Sequence, residues 1–203
     1  MRAVMPSVPQ FILDWRKRTG IAQRDEMWEG VLHMSPEPDR EHQDFEGALE
    51  TWLRIHWARA RGARVHHRIN LSPAGSGSGW IHNYRIPDLV LLTRERFSID
   101  RRTHFEGGPN VAVEIRSPDD ESESKLPFYA QLGILEVWII DRDTKQPDLY
   151  VLADDAYQKN PADEHGWFRS ARTGIEFRAG RAGKFEIRLT GDESSCEELP
   201  ESA

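Results

Sequence analysis

Two short apolar segments of this chain each carry a carboxylate, and this pattern limits the fold more than any other feature. Asp88 precedes the run Leu89–Leu92, and Glu114 lies inside the run Val111–Ile115. Short apolar runs rich in β-branched residues predict buried strands. A carboxylate in a buried strand costs several kcal/mol unless a metal or another cation offsets its charge. The two segments therefore predict neighbouring strands with a charged site between them.

The spacing of apolar residues along the rest of the chain predicts an α/β domain with one central mixed β-sheet flanked by helices. Helical spacing of apolar side chains runs over 39–60 and 120–132, and Gly62 should end the first of these helices. The predicted strands are 64–71, 86–92, 110–116, 135–141 and 148–152, with weaker signals at 167–171, 175–178 and 184–189. We divide the chain into an N-terminal helical extension (1–24), the α/β domain (25–190) and a disordered acidic tail (191–203).

Length and composition are those of one globular domain. The chain has 203 residues, of which 30% are charged and 38% are hydrophobic. No apolar run approaches the roughly 18–20 residues that a membrane span needs, and no apolar signal-peptide core follows the start. The single cysteine, Cys196, cannot form an internal disulfide or a cysteine metal cage. We therefore expect a cytoplasmic protein with no membrane partner.

The net charge of −7 at pH 7 argues against a protein that coats nucleic acid, because binding to phosphates is largely cationic. It does not exclude an enzyme that acts on nucleic acid, since the charges are unevenly distributed. Arginines cluster at 54–68 and 94–102, whereas much of the acid lies at 154–164 and 192–198. A basic face is one interpretation of these clusters, and ordinary solvated surface is the commoner one.

Asp88 and Glu114, with a nearby amine, form the set of groups that metal-dependent phosphodiester hydrolysis requires. Lys125 stands at the head of the second predicted helix. Two carboxylates can hold Mg²⁺ or Mn²⁺, and an ammonium can stabilise charge on the phosphate or position the attacking water. Each residue alone has an ordinary alternative, respectively a solvent-facing strand end, a surface ion pair and a solvated helix residue. Their joint occurrence in this order favours a shared metal site.

Three segments resemble the bacterial Uma-two-type family of the PD-(D/E)XK nuclease superfamily. They are Ile-Pro-Asp-Leu-Val (86–90), Val-Glu-Ile-Arg-Ser-Pro (113–118) and Lys-Leu-Pro-Phe-Tyr-Ala-Gln-Leu-Gly-Ile-Leu-Glu-Val-Trp-Ile-Ile-Asp (125–141). The upstream Glu-Gly-Val-Leu-His-Met-Ser-Pro (29–36) and His42 also fit, so the resemblance covers about 25–155. It implies the restriction-endonuclease-like fold, dependence on Mg²⁺ or Mn²⁺, and endonuclease activity on nucleic acid, with DNA as the expected substrate.

The resemblance assigns roles to individual residues. Asp88 matches the family's first acid and Glu114 its second, while Arg116 stands where the superfamily usually has a lysine. Residues two apart on a strand share a face, so Arg116 should lie on the side of Glu114. An arginine cannot act as a base, because its pKa exceeds about 12. Family members of this type carry the lysine on the following helix, so we expect Lys125 as the catalytic amine and Arg116 as a phosphate contact.

Further residues are weaker candidates. His42 and Glu46 share a face of the helix predicted at 39–60. We expect His42 to contact phosphate or water and Glu46 to be a further metal ligand, with a helix surface pair as the alternative. Glu29, at a predicted hairpin turn, either approaches the site or only completes the turn. Tyr129, one helical turn beyond Lys125, either orders that lysine or packs in the core.

Two functions of different classes stay open. The first is a metal-dependent endonuclease. The second is a nuclease-fold protein that no longer cuts and acts as a binding or assembly module. The acidic net charge, Arg116 in the usual lysine position and the lack of a recognisable DNA-reading motif favour the second. A zinc hydrolase ranks below both, because the sequence has no His-Glu-x-x-His spacing. A homodimer would suit cleavage of both strands of a duplex.

Overall fold

The computed structural model describes residues 3–5, 8–34, 38–118 and 121–200. Its central element is a six-stranded mixed β-sheet. The helices are α1 (Gln10–Thr19), α2 (Arg40–Trp52), α3 (Arg59–Arg61) and α4 (Leu126–Gln131). The strands are β1 (Ala3–Met5), β2 (Glu26–Trp28), β3 (Val31–Met34), β4 (Arg64–His67), β5 (Leu71–Ser72), β6 (Leu89–Leu92), β7 (Phe105–Glu106), β8 (Val111–Arg116), β9 (Glu136–Asp141), β10 (Pro147–Ala153), β11 (Ala156–Asn160), β12 (Phe168–Arg169), β13 (Ile175–Ala179), β14 (Phe185–Leu189) and β15 (Asp192–Leu199).

The order of strands in the central sheet is β11-β10-β9-β8-β6-β4. β8 and β9 run parallel, and the other neighbouring pairs are antiparallel. Since β6 and β8 are hydrogen-bonded neighbours, the strands associated with Asp88 and Glu114 are adjacent, as predicted. The start of β6 and the ends of β4, β8 and β9 therefore lie together. We call this edge of the sheet the polar edge.

Side chains of the central strands enter two separate cores, because successive residues of a strand point to opposite faces. On one face α2 and the antiparallel sheet β12-β13-β14-β15 cover the strands, and Leu91 and Phe45 share a core there. On the other face α4 covers the strands, and Val90 and Phe128 share the second core. The central mixed sheet flanked by helices that the sequence predicts is therefore confirmed.

The long helix predicted at 39–60 is confirmed as a continuous helical segment over residues 40–61, but its winding changes in the middle. A π-helical turn, Leu53–Ala58, joins α2 to α3, and Gly62 ends α3 with a left-handed φ of 59°. A π turn holds more residues than an α turn, and here Trp52, Leu53 and Trp57 are all buried in the first core. Within the described residues, no helix is long and apolar enough to cross a membrane.

The strand predicted at 64–71 is instead two strands, β4 and β5, because the backbone turns at Arg68. Arg68 has φ of 49°, in the left-handed region, and its N–H donates to the carbonyl of Asp88 at 3.0 Å. Its guanidinium reaches Glu46 of α2. The apolar alternation of 64–71 cannot reveal this turn, since the turn depends on contacts with distant segments.

Residues 192–199 form a strand, which corrects the disorder that we expected for this part of 191–203. β15 pairs with β14, and Ser195 and Leu199 are buried. Trp52 Nε1 donates to the carbonyl of Ser195 at 3.0 Å. The two buried residues are too widely spaced to give a periodic pattern, so the sequence does not predict this strand. Its contacts with β14 and Trp52 stabilise it. Residues 201–203 lie outside the described residues, and the domain boundaries that we drew stay a prediction.

Leu199→Ala should lower the free energy of unfolding by about 2–4 kcal/mol, because it removes buried side-chain volume from the core shared by α2 and the C-terminal sheet. Glu198→Ala is the matched control, since Glu198 is exposed on the same strand, and it should change stability by less than about 0.5 kcal/mol. Urea denaturation measures both variants. Equally small effects would mean that β15 does not pack in solution.

Candidate active site

Asp88 lies at the polar edge, between the two faces of the sheet. Its Oδ2 accepts the N–H of Ile115 at 2.7 Å, which places the carboxylate beside the β8 backbone next to Glu114. Its Oδ1 lies 3.3 Å from His42 Nε2. Burial favours the protonated form, but His42, the N–H of Ile115 and the charge of Lys125 together outweigh burial and lower the pKa of Asp88. Asp88 is therefore an ionised group that touches both halves of the site.

The first half of the site comes from α2. Glu46 Oε2 lies 3.6 Å from His42 Nε2 and accepts a hydrogen bond from Arg68 at 2.5 Å. Glu46 Oε1 lies 2.9 Å from His67 Nδ1, but none of the described residues donates to this buried oxygen with hydrogen-bond geometry. Burial, with the charge of Asp88, raises the pKa of Glu46 to about 7. The helix face predicted from the spacing of His42 and Glu46 is confirmed.

The second half of the site is a buried ion pair. Lys125 Nζ donates to both carboxylate oxygens of Glu114 at 3.0 Å and lies 2.8 Å from Glu26 Oε1. Tyr129 also donates its hydroxyl proton to Glu114 Oε1. Only 2% of the Lys125 side chain is exposed, so the alternative of a solvated lysine is wrong. Tyr129 packs in the second core, which is one of the two alternatives that the sequence left open, and its hydroxyl contacts Glu114.

A short 3₁₀ turn brings Lys125 to this position. The turn spans Ser122–Lys125 and leads directly into α4, so Lys125 lies at the start of the helix, as the sequence indicated. Glu114 and Tyr129 then meet Lys125 from β8 and α4, respectively. Asp120, where the sequence predicted that this helix begins, lies outside the described residues.

Glu26, at the start of β2, is a buried site residue that we did not predict from the sequence. Its Oε1 accepts the N–H of Ile86 at 2.9 Å, and its Oε2 accepts Trp28 Nε1 at 2.7 Å. Trp28 lies between the guanidinium of Arg85, 4.3 Å from its ring centroid, and the stacked ring of His33, 4.1 Å away. A strand of three residues is too short to show apolar alternation, so the sequence pattern does not predict that Glu26 is buried. The one usable signal is the spacing between Glu26 and Trp28, since residues two apart on a strand share a face.

Two predicted residues lie outside the buried clusters. Arg116 is on the same side of the sheet as Glu114, as predicted, but its guanidinium pairs with Glu123 at 3.4 Å and with Asp141 at 3.7 Å. About a third of its side chain is exposed, so it lies at the rim of the site. Glu29 is exposed at the β2–β3 turn with φ of 52°. There its N–H donates to Asn83, which supports the interpretation that it completes the turn.

The donor chemistry of the polar edge fits a divalent cation. One ligand atom from each of His42, Glu46 and Asp88 can be chosen so that all three lie within 4.8 Å of one another. Ligands around one ion at bond lengths near 2.0–2.6 Å lie within about 5 Å of one another. The buried Glu46 oxygen described above is a further reason, because an unsatisfied buried acceptor is costly. Glu114 directly precedes Ile115, whose N–H binds Asp88, so β8 brings a further carboxylate into this region.

The mixed α/β fold of this chain also occurs in a solved protein. The chain is similar to the crystal structure of a "putative nuclease belonging to DUF820" from Anabaena variabilis. The TM-score is 0.56 and the sequence identity 19%, over 70% of this chain and 78% of that chain, which shows a shared fold.

The family follows from the sequence match. Residues 9–180 match Uma2, described as "Putative restriction endonuclease". The chain therefore belongs to the Uma2 family, and the resemblance inferred from its three motifs is confirmed. No curated protein matches the chain.

Lys125 should stabilise the fold through the two buried carboxylates that it links. Lys125→Met leaves Glu26 and Glu114 without their shared cation, so the free energy of unfolding of the metal-free protein should fall by about 3–5 kcal/mol. Adding Glu26→Gln removes one of the two charges and should restore at least about 1 kcal/mol. Chemical denaturation of the wild type, both single variants and the double variant measures this coupling. Additive effects would contradict a direct ion pair.

Proposed function

We propose that this protein is a metal-dependent endonuclease that hydrolyses phosphodiester bonds of DNA. The proposal rests on one observation above all: Asp88 lies beside the β8 backbone next to Glu114, and a buried lysine binds that second carboxylate. Membership of a family described as a restriction endonuclease supports nucleic acid, and DNA in particular, as the substrate. The carboxylates, the amine and the nuclease fold are the components that such a hydrolase needs.

Asp88 and Glu114 are the residues that we propose to hold Mg²⁺ or Mn²⁺. A bound ion of this kind would polarise the scissile phosphate and lower the pKa of an attacking water. Asp88 suits this role because 18% of its side chain is exposed, so substrate can approach it. Glu114 is more deeply buried, with 4% of its side chain exposed, and is fixed by Lys125 and Tyr129.

Lys125 is the proposed catalytic amine, and its surroundings favour an electrostatic role. Two carboxylates within 3.0 Å favour the charged ammonium and fix its position. A fixed cation near the reacting phosphate stabilises the negative charge that develops in the transition state. Glu26 also contacts Lys125, at 2.8 Å, and accepts a hydrogen bond from Trp28, so we assign Glu26 as a positioning residue.

Tyr129 and Arg116 have supporting roles in the proposal. Burial and the charge of Glu114 raise the pKa of Tyr129 well above its usual value, so the phenol keeps its proton and donates a hydrogen bond to Glu114. Arg116, at the rim, is placed to bind a phosphate of the DNA strand if it exchanges its weak pairs with Glu123 and Asp141 for that phosphate.

One observation favours the second candidate function, a nuclease-fold module that binds but does not cut. Both oxygens of Glu114 accept hydrogen bonds from Lys125, so a metal ion must compete with the ammonium for this carboxylate. The acidic net charge of −7 also weakens binding of a polyanion. Cleavage and binding assays together separate the two functions.

The wild-type protein should nick or linearise supercoiled plasmid when Mg²⁺ or Mn²⁺ is present, and excess chelator should stop the reaction. Asp88→Asn keeps the size of the side chain but removes its charge, so cleavage should fall at least about 100-fold. Glu29→Gln is the matched control, because this exposed turn residue lies outside the site, and its rate should equal that of the wild type. Gel electrophoresis of timed samples measures the rates.

Lys125→Arg in the same assay tests the electrostatic role, once circular dichroism has shown that the variant folds. A guanidinium keeps the charge but cannot give up its proton, so most of the activity should survive. Complete loss in a folded Lys125→Arg protein would instead indicate proton transfer by Lys125. If the wild type binds plasmid but cuts nothing with either ion, the endonuclease proposal is wrong and the binding module is favoured.

A further inference from the structure

The α2 half of the site offers ligands in addition to Asp88 and Glu114, the carboxylate pair proposed above. We propose that His42 is a direct metal ligand, together with Asp88 and Glu46, and that this nitrogen donor makes the site select Mn²⁺ over Mg²⁺. The inference deepens the proposed function, since it concerns the metal of the same site. It also revises the role that the sequence indicated for His42, which was a contact to phosphate or water.

The orientation of the His42 ring supports direct coordination. Its Nδ1 lies 3.4 Å from Ser117 Oγ, while its Nε2 faces the two carboxylates, 3.3 Å from Asp88 and 3.6 Å from Glu46. A histidine ligand commonly uses one ring nitrogen for the metal and the other for a hydrogen bond that fixes the ring. Ser117 follows β8 directly, so the sheet holds the ring from behind.

The three side chains differ in exposure, so the site is closed towards α2 and accessible to solvent beside Asp88. The exposed fractions are 8% for His42, 3% for Glu46 and 18% for Asp88. The helix residues form the closed wall, and Asp88 lies at the opening. An ion can therefore enter past Asp88, and water or a phosphate can occupy the positions that the protein does not fill.

Glu46 supplies an independent observation. Its Oε1 is buried and receives no aligned hydrogen bond from the described residues, although His67 Nδ1 is close. Arg68 donates to the other oxygen and offsets part of the negative charge. A cation bound by Glu46, Asp88 and His42 would remove the cost of bringing two carboxylates together.

The donor types determine the preference among ions. Mg²⁺ prefers oxygen ligands in near-ideal octahedral geometry and gives up its water reluctantly. Imidazole binds divalent transition metals more readily, and ligand type is one of the ways in which proteins discriminate among metals. Two carboxylates and one imidazole therefore favour Mn²⁺ over Mg²⁺, whereas Asp88 and Glu114 alone would offer oxygen only.

Pulsed electron paramagnetic resonance of the full chain loaded with Mn²⁺ tests this assignment without any measurement of cleavage. The wild type should show electron spin echo modulation from a directly bound ¹⁴N nucleus, and His42→Gln should lose it. His56→Gln is the matched control, because His56 pairs with Glu197 at 2.9 Å, away from the site, and it should keep the modulation. Modulation that persists in His42→Gln, or that disappears in His67→Gln instead, would overturn the proposal.

A competition titration measures the selectivity. Calorimetry of Mn²⁺ binding with and without Mg²⁺ should show that His42→Gln reduces the preference for Mn²⁺ by about tenfold or more. Glu46→Gln is a second variant, and it should weaken Mn²⁺ binding while it keeps the nitrogen modulation. Circular dichroism checks the folding of each variant. An unchanged preference in folded His42→Gln contradicts the inference.

The two proposals fail in different ways. Nitrogen-coordinated Mn²⁺ in a protein that cuts no DNA would overturn the endonuclease and leave the His42 assignment intact. Cleavage supported equally by Mg²⁺ and Mn²⁺, with no nitrogen modulation, would overturn the His42 assignment and leave the endonuclease intact.

Discussion

A buried ammonium that bridges two carboxylates holds the polar edge together. Lys125 lies between Glu26 and Glu114, and all three side chains are almost fully buried. Buried carboxylates are destabilising without a cation. Lys125 therefore balances the negative charges of Glu26 on β2 and Glu114 on β8. The same bridge ties the N-terminal hairpin to the central sheet and to the start of α4.

The two halves of the site differ in how their negative charge is balanced. The Lys125 half carries its own cation, whereas the α2 half places His42 and Glu46 against Asp88 with only part of that charge offset by Arg68. Asp88 links the two halves, because its Oδ1 lies 3.3 Å from His42 Nε2 and its Oδ2 accepts the N–H of Ile115 in β8. This asymmetry supports our proposals that His42 and Glu46 share the metal ion of Asp88 and that Lys125 is the catalytic amine.

The C-terminal strands support the site from a distance. The family match ends at residue 180, yet β14 and β15 follow it and complete the core in which α2 packs. Trp52, at the end of α2, donates to the carbonyl of Ser195 in β15. Since α2 also carries His42 and Glu46, this packing fixes the helix that supplies half of the donor set.

The sequence reveals those site residues that lie beside strong apolar patterns. Asp88 and Glu114 adjoin the two most apolar strands, and Lys125 begins a recognisable helix, so their order alone predicts neighbouring strands and a nearby amine. His42 and Glu46 follow from helical spacing. The fold class follows from the same patterns, because strands buried on both faces need helices or a second sheet to cover them.

The remaining features depend on contacts that no local pattern records. Glu26 lies in a strand of three residues, and its role appears only when the chain brings Lys125 and Ile86 to it. The turn at Arg68 requires the carbonyl of Asp88 as its partner. Likewise, β15 is acidic and mostly exposed, and it forms because β14 and α2 provide the packing that its own residues lack.

We propose that the polar edge is a divalent metal centre that contains Asp88. A crystal grown with Mn²⁺, with diffraction recorded above and below the manganese absorption edge, tests this proposal. We expect an anomalous peak about 2.0–2.6 Å from a carboxylate oxygen of Asp88. A saturated crystal with no peak at the polar edge, and with Asp88 still hydrogen-bonded only to His42 and the N–H of Ile115, would contradict it.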